Sequence, residues 1–361
     1  MAQLLSPRLL RRGLELFAAI SALGFVGLLF YGNNFQQFLA AMGSLHWGWV
    51  LAGVALASMD WIGSGVRIWV LARHLDAKAS FKGSILAGGL CSWASSLTPL
   101  QTGGGPMIVY TLKRYGTPVP HGVIVTFMSF VATVAFFAVA GPTAVFLGGG
   151  RSLEQHGILG KSITLFDMFN LSLSAFVAIG ILMFAAFFFP GLARRVAQGA
   201  ARWFETHGSP RLARAAAVAR EGVDRAHDGM KEFMKARGWL ALGVSVILSA
   251  PSHANKLLAG YVVLRMLGIQ VNFVDVLLLQ TLIAFLLYFA PTPGGSGLAE
   301  LISVAVMSIY VPRALTPSYI LLWRIVVSYL TVAFGSYVFW RWLKMAEGRD
   351  DAPLEEQAVP V

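Results

Sequence analysis

One short stretch decides how this chain folds: Thr292-Pro293-Gly294-Gly295-Ser296-Gly297. It interrupts a long apolar region, and a similar stretch, Thr98-Pro99-Leu100-Gln101-Thr102-Gly103-Gly104-Gly105-Pro106, interrupts another. In lipid, backbone N–H and C=O groups must be paired inside the protein, so a broken helix survives only within protein or against a water-filled cavity. A pair of interrupted apolar segments in the two halves of a chain is the best sequence pointer to a transporter's binding site. We therefore expect a transporter-like membrane fold.

The composition of the 361-residue chain indicates a membrane protein. Hydrophobic residues make up 57% and charged residues 12%, with a mean hydropathy of +0.68, far from the values of an ordinary soluble domain. The single cysteine, Cys91, excludes an intramolecular disulfide framework, and no cluster of Cys and His suggests a metal site, so we expect no metal and no cofactor. The net charge of +11 is explained by cytoplasmic loops beside anionic lipid headgroups, and we expect no nucleic-acid partner.

Apolar segments near the length of about 20 residues that a spanning helix needs recur along the chain. They are 14–31, 47–71, 121–147, 171–190, 239–264 and 318–343. Two longer segments, 83–114 and 274–310, are broken at their centres by the two Thr-Pro stretches. Each can be two spans or one re-entrant hairpin, and we favour hairpins. The predicted fold is an all-α membrane protein with about six transmembrane helices and two re-entrant helical hairpins in an inverted repeat.

The distribution of basic residues sets the expected orientation. With two hairpins, 21 of the 28 Lys and Arg residues fall in loops on one side and four on the other. The positive-inside rule makes the richer side cytoplasmic. We therefore expect a multi-pass protein of the bacterial inner membrane with both termini in the cytoplasm and with its two hairpins entering from opposite sides.

The same pattern divides the chain into four parts. Residues 1–190 form the first transmembrane half, with its hairpin near 83–114, and residues 238–345 form the second, with its hairpin near 274–310. Residues 191–237 join them as a basic, amphipathic, cytoplasmic linker. Residues 346–361 are polar and are expected to be a disordered tail.

Charged residues inside apolar segments are expensive in a membrane, so each is a functional candidate. Asp60 and Arg67 are seven residues apart and share a helix face. Lys256 follows a polar, proline-containing stretch that predicts a break in its span. Glu300 begins the half-helix after the second turn, where it either caps that helix or pairs with a cation, with Arg324 as the first choice.

The glycine turns expose backbone N–H groups beside helix N-termini, which favours anion binding. The predicted substrate-binding residues are Thr98, Pro99, Gly103, Gly104, Gly105, Pro293, Gly294, Gly295, Arg67, Lys256 and Arg324. The predicted charge-balancing or proton-coupling residues are Asp60, Glu300 and His253, although a satisfied structural kink explains His253 equally well. No Gly-Lys-Ser/Thr follows the first turn, which excludes a nucleotide-binding P-loop, and no catalytic motif is present, so we do not expect an enzyme.

These motifs resemble those of a known family. The run Pro291-Thr292-Pro293-Gly294-Gly295-Ser296-Gly297-Leu298-Ala299-Glu300 is similar to the Pro-x-Pro-Gly-Gly-x-Gly-x-x-Glu signature of the flippase-like integral membrane family. This family is the transmembrane region of lysylphosphatidylglycerol synthase, also called multiple peptide resistance factor. The first turn departs from the family's pattern, because Gly105-Pro106-Met107 stands where an acidic residue and an Arg often follow. The synthases also carry a cytoplasmic aminoacyl-transferase domain after this region, and since only a short tail follows the last span here, we expect no lipid aminoacylation.

The resemblance implies lipid binding and transfer between leaflets, whereas the residues alone imply only a transporter-like site. We therefore expect a flippase or transporter of an anionic phospholipid or a related lipid, with the lipid headgroup as its partner. One alternative is an ion-coupled secondary transporter of a small solute. Another is a non-transporting membrane partner of a lipid-modifying enzyme. Small-residue runs such as Gly63-Ser64-Gly65 permit a homodimer.

Overall fold

The computed structural model describes residues 7–30, 35–75, 78–146, 236–288 and 290–350, and short pieces between 157 and 202. In these ranges the chain is helical, apart from turns and one antiparallel pair of two-residue strands, β1 (Gly157–Ile158) and β2 (Ile163–Thr164). The all-α prediction therefore holds for the described part of the chain. The longer helices are α1 (Pro7–Phe30), α2 (Phe35–Gly43), α3 (Trp47–Ala57), α4 (Ile62–Leu75), α5 (Phe81–Leu97), α6 (Gly104–Arg114), α7 (Val119–Phe146), α8 (Ala236–Met266), α9 (Phe273–Tyr288), α10 (Leu298–Met307), α11 (Thr316–Arg324) and α12 (Leu330–Asp350).

Three helical stretches in the described part of the chain are long and apolar enough to cross a membrane. They are Trp47–Leu75, Val119–Ala140 and Arg313–Trp342, and they coincide with three of the predicted spans. The predicted spans at 14–31 and 239–264 fall on α1 and α8, which are 24 and 31 residues long. The predicted span at 171–190 lies largely outside the described residues, as does the linker at 191–237.

The first interrupted segment forms a helical hairpin. Helices α5 and α6 pack against each other, and the chain leaves the helical conformation at Thr98 (φ −123°, ψ 143°), as expected for a residue before proline. The arms have 17 and 11 residues, so they extend about 26 Å and 17 Å at 1.5 Å per residue. Neither arm reaches the roughly 30 Å of a hydrocarbon layer.

The second interrupted segment repeats this arrangement. Helices α9 and α10 also contact each other and have 16 and 10 residues. The two turns share an unusual backbone: Leu100 (φ 53°, ψ 22°) and Gly294 (φ 57°, ψ 19°) follow equivalent prolines. Gln101 and Gly295 are left-handed as well, with φ of 56° and 66°. The first turn therefore places two residues that carry side chains where the second has glycines, a conformation that L-residues rarely adopt.

The tips of the two hairpins touch. The N–H of Leu100 donates to the carbonyl oxygen of Ala290 at 3.1 Å, which ties the first turn to the chain entering the second. At Gly294 a Cβ atom would lie 2.8 Å from both the Phe17 ring and the Ser96 carbonyl oxygen. Only glycine fits this contact, because any side chain would separate the second turn from α1 and α5.

Two long helical stretches break where the sequence shows no signal. A 3-10 turn at Ser58–Asp60 separates α3 from α4, and a π-helical turn at Ile325–Tyr329 separates α11 from α12. In contrast, α8 continues through Pro251, so the break expected there is absent from the structure. Each of the two breaks places a charged side chain, Asp60 or Arg324, at an irregular point of the helix, and π-helical turns are frequent at functional sites.

The centre of the fold is α8, which packs against α3, α4, α7 and α9. At the end of the chain α12 continues to Asp350, so it extends five residues into the segment 346–361 that the sequence predicts as a tail. Extending an existing helix needs no new nucleation, and residues such as Ala346 and Glu347 are good helix formers, which explains this difference. The remainder of the predicted tail lies outside the described residues.

Candidate functional site

A buried salt bridge lies behind the second turn. Arg324 Nε donates to Glu300 Oε1 at 2.8 Å, and the two residues are 1% and 3% exposed. Glu300 Oε2 accepts the N–H of Gly297 at 2.7 Å, so the same carboxylate caps the start of α10. The sequence left pairing and capping as alternatives, and the structure has both. Arg324 also donates to the Gly294 carbonyl oxygen at 3.2 Å. Its guanidinium is therefore engaged by protein groups.

Arg67 is a buried cation with a different environment. Its Nη1 donates to the hydroxyl oxygens of Thr133, at 2.7 Å, and Ser249, at 3.1 Å, while the residue is 8% exposed. Its Nε has no hydrogen-bond partner among the described residues. Among the same described residues, no carboxylate forms an ion pair with Arg67. Because an isolated buried charge is unfavourable, this arrangement favours an anionic ligand.

Asp60 and Lys256 lie near Arg67 without forming a salt bridge. Asp60 Oδ2 accepts from Asn255 Nδ2 at 3.0 Å and from Thr331 Oγ1 at 2.9 Å, so neutral donors hold the carboxylate. Lys256 is half-buried, and its Nζ lies 5.6 Å from the centre of the Tyr288 ring. Across the described ranges we find no ion pair or hydrogen bond for this ammonium group, which leaves it available to a ligand.

His253 is satisfied largely within its own helix. Its Nδ1 lies 2.9 Å from the carbonyl oxygen of Ser249 and 3.1 Å from the hydroxyl of Ser252. A carbonyl oxygen can only accept, so Nδ1 carries the proton in this contact. The ring also packs edge-to-face against Phe137 at 5.2 Å. The local geometry is that of a polar residue stabilised inside an apolar helix.

These side chains meet in a polar cavity with two neighbouring chambers. The larger, of about 260 Å³, is lined by Arg67, His253 and the two glycines that begin α6, Gly104 and Gly105. The smaller, of about 70 Å³, is lined by Gly294 and Arg324. Residues that line both chambers are Asp60, Ser92, Ser95, Gln101, Lys256 and Tyr288. The structure therefore brings the predicted cations of both halves to one cavity.

The backbone N–H groups of the two turns differ in availability. In the second turn, the N–H of Gly295 donates to the Thr292 carbonyl oxygen at 3.0 Å, and that of Gly297 donates to Glu300. In the first, Gly104 and Gly105 line the larger chamber, and their N–H groups have no acceptor among the described residues. The first N–H groups of a helix lack partners within it, so the start of α6 offers donors to a ligand.

Several of the predicted substrate-binding residues, and the predicted charge-balancing residue Glu300, shape the turns without lining either chamber. Among the described residues these are Thr98, Pro99, Gly103, Pro293, Gly295 and Glu300. Thr98 shows how they act: its hydroxyl donates to the Ala94 carbonyl oxygen at 2.9 Å and accepts the N–H of Gly103 at 2.8 Å. This side chain closes the turn that the proline begins.

Sequence reasoning missed the neutral residues of the site. Gln101 and Tyr288 line both chambers, and Thr133 and Ser249 hold Arg67. Gln101 lies inside the first Thr-Pro turn, so its position was a usable signal. Hydroxyl residues in apolar helices carry no comparable signal, because most of them bond to their own helix backbone.

An apolar groove lies on the other side of Arg324. It has a volume of about 500 Å³ and runs between α1 on one side and α11, the π-helical turn and α12 on the other. Its lining residues are Leu14, Phe17, Ala18, Ser21, Ala22, Phe25, Leu321, Tyr329, Val332, Ala333 and Ser336. We name it the α1 groove.

The apolar helices and the charged cavity between them define a multi-pass helical membrane protein. Within that class, residues 15–335 match the family described as the lysylphosphatidylglycerol synthase TM region, and the chain belongs to this family. No curated protein and no solved structure matches the chain.

Proposed function

We propose that this protein moves an anionic phospholipid, or a related phosphate-bearing lipid, between the leaflets of the bacterial inner membrane. The observation that carries the proposal is the presence of two cations, Arg67 and Lys256, in one cavity, where neither forms an ion pair with a carboxylate of the described residues. A buried cation in a membrane protein is expensive unless a counter-charge or water reaches it. Membership of the family supports a lipid as the ligand, because the family is named after an enzyme whose product is a phospholipid.

In this proposal the headgroup occupies the larger chamber. Phosphate oxygens accept hydrogen bonds from the Arg67 guanidinium and from the N–H groups of Gly104 and Gly105, and the ammonium of Lys256 adds a second positive charge. Asp60, held by its hydrogen bonds from Asn255 and Thr331, is the charge-balancing or proton-coupling residue of this proposal. The protein supplies a polar path and performs no covalent chemistry.

In this proposal the two hairpins are re-entrant elements of an inverted repeat. Their arms are shorter than a hydrocarbon layer, and their tips touch through Leu100 and Ala290. Hairpins that enter from opposite sides and meet near the midplane have both properties. The turns then bound the cavity at the depth where a headgroup has to cross.

A lipid-transfer assay tests the proposal. Purified protein is reconstituted in vesicles of phosphatidylglycerol and phosphatidylethanolamine, and the movement of fluorescent phosphatidylglycerol between leaflets is followed by dithionite quenching. We expect Arg67→Ala and Lys256→Met to slow transfer, by roughly tenfold or more for each lost charge-assisted hydrogen bond. The control is Lys82→Ala, which removes one positive charge at an exposed position of α5 and is expected to transfer lipid at the wild-type rate.

The proposal fails if wild-type protein, both cavity variants and empty vesicles give the same rate. A small anionic solute is the second candidate, since a chamber of about 260 Å³ rich in hydroxyl groups also suits such a ligand. Uptake of radiolabelled inorganic phosphate into the same vesicles, without lipid movement, would establish that alternative. The α1 groove favours lipid, because a transporter of small solutes has no use for an apolar opening beside its polar cavity.

A further inference from the structure

The α1 groove is a lateral opening of defined length. On α1 it extends from Leu14 to Phe25, which corresponds to about 16 Å at 1.5 Å per residue. The hydrocarbon layer is about 30 Å thick, so the groove covers the depth of one leaflet. A transmembrane helix of another protein would need a binding surface as long as the full membrane thickness, whereas a lipid acyl chain needs a surface as long as one leaflet.

The walls of the groove leave room for a lipid acyl chain. Ala18 and Ala22 on α1 and Ala333 on α12 present small, exposed side chains to it. Phe17 and Tyr329 close its inner wall, with their rings edge-to-face at 5.8 Å. Tyr329 is the last residue of the π-helical turn, so the irregular segment that follows Arg324 also shapes the groove.

The groove and the polar cavity meet at Arg324. Two residues of the groove contact its guanidinium: Phe17, whose ring centre lies 5.7 Å from Cζ, and Ser21, whose Oγ accepts from Nη2 at 3.5 Å. On the other side Arg324 lines the smaller chamber. One side chain therefore separates an apolar compartment from a charged one, and the pair of compartments matches the two parts of a lipid.

We propose that the α1 groove binds an acyl chain of the membrane lipid whose headgroup occupies the polar cavity. The proposal rests on the proposed function and adds the place where the lipid enters and leaves. The groove's apolar lining, its one-leaflet length and its contact with the cavity-lining Arg324 through Phe17 and Ser21 select a lipid chain over a second copy of this protein.

Photo-crosslinking locates the bound acyl chain without altering the protein. Phosphatidylglycerol with a diazirine in one acyl chain is incorporated into vesicles with the wild-type protein, and the adducts are mapped by mass spectrometry after irradiation. We expect adducts to concentrate on the α1 residues 14–25 and on the facing residues 329–336. Adducts spread evenly over other lipid-facing helices, such as α7, would overturn the assignment.

Filling the groove gives a second, functional test. Ala22→Trp and Ala333→Trp are expected to lower the yield of groove adducts at least about tenfold, because chain burial strengthens with every methylene group placed in an apolar site. Lipid transfer should fall in parallel. The matched control is Leu23→Trp, which adds an indole at the neighbouring, 72% exposed position and should behave as the wild type. Thermal unfolding of all three variants identifies any that fail to fold.

The outcomes separate the two proposals. Wild-type lipid transfer that persists in both groove-filled, folded variants overturns the groove proposal and leaves the proposed function intact. Groove adducts in a wild-type protein that transfers no lipid support the binding site and refute the flippase. Efficient disulfide-linked dimers of the Cys91→Ser/Ala22→Cys double variant would assign the groove to a second copy and overturn lipid binding there.

Discussion

The backbone N–H of Leu100 donates to the carbonyl oxygen of Ala290 at 3.1 Å, and this bond connects the two halves of the protein at their interrupted segments. Both turns have the same left-handed backbone after their prolines. The contact makes the two turns a single unit with polar chambers beside it. A displacement of one hairpin must therefore break this bond or move the other hairpin as well.

The Glu300–Arg324 pair is expected to dominate the stability of the second turn. Removing one partner of a buried pair leaves an uncompensated charge and typically costs about 3–5 kcal/mol, a range that we take as a guide for Glu300→Leu and Arg324→Leu. The double variant should lose clearly less than the sum of the two single losses, since no charge is then left unpaired. Tryptophan fluorescence during unfolding in detergent micelles measures all three. Strictly additive losses would show that the two side chains are not coupled.

Gly294→Ala should be much more harmful than Gly116→Ala. Both glycines have positive φ, of 57° and 92°, so a methyl group at either strains the backbone by about 1–2 kcal/mol. At Gly116 nothing lies within 4 Å of the added Cβ, whereas at Gly294 it meets the Phe17 ring and the Ser96 carbonyl oxygen. Such overpacking adds about 1–3 kcal/mol. Equal shifts in the unfolding temperature of the two variants would contradict the close approach of the second turn to α1 and α5.

The hydroxyl groups around Arg67 are expected to tune transport. Thr133→Val is nearly isosteric and removes the acceptor that lies 2.7 Å from Nη1. Losing one hydrogen bond to a charged group changes free energies by about 1.5–3 kcal/mol, so the rate of lipid transfer should fall roughly ten- to hundredfold. Thr143→Val is a suitable control, because Thr143 is exposed and its hydroxyl donates to the Val139 carbonyl oxygen of its own helix. A control as slow as Thr133→Val would show that the loss is not specific to Arg67.

Cys91 should report on occupancy of the cavity. It is the single cysteine of the chain, is partly accessible and lines the larger chamber, so a small maleimide should alkylate the wild-type protein. Short-chain phosphatidylglycerol below its critical micelle concentration should slow this reaction, and Arg67→Ala should remove the protection but not the reaction. Alkylation at the same rate with and without the lipid would place the headgroup away from Cys91.

Most of the architecture could be predicted because it follows from strong, local signals. Apolar length indicated the spans that the structure describes, and the Thr-Pro-Gly runs located both hairpin turns. The ion pair between Glu300 and Arg324 was accessible to reasoning because two opposite charges inside apolar sequence have few ways to be satisfied.

The positions of the helix breaks could not be predicted. The 3-10 turn before Trp61 places Asp60 where it bonds to Asn255 and Thr331, which are distant in sequence. Conversely, Pro251 predicted a break that tertiary packing does not produce. The different environments of the two arginines could not be predicted for a similar reason. Arg324 pairs with Glu300, whereas the partners of Arg67 among the described residues are hydroxyl groups. The positions of the two arginines in the sequence do not reveal which of them forms an ion pair.

The π-helical turn that follows Arg324 sets the register of the helix around it. A turn with i→i+5 hydrogen bonds holds one residue more than the α-helical path, which rotates everything after it by about 100° relative to an unbroken helix. Through this rotation Arg324 faces Glu300 while Val332 and Ala333 face α1. The extra residue thus allows one continuous helical stretch to present Arg324 to the polar cavity and its apolar side chains to the α1 groove. Deletion of one residue between 325 and 329 would test whether the extra residue sets that orientation.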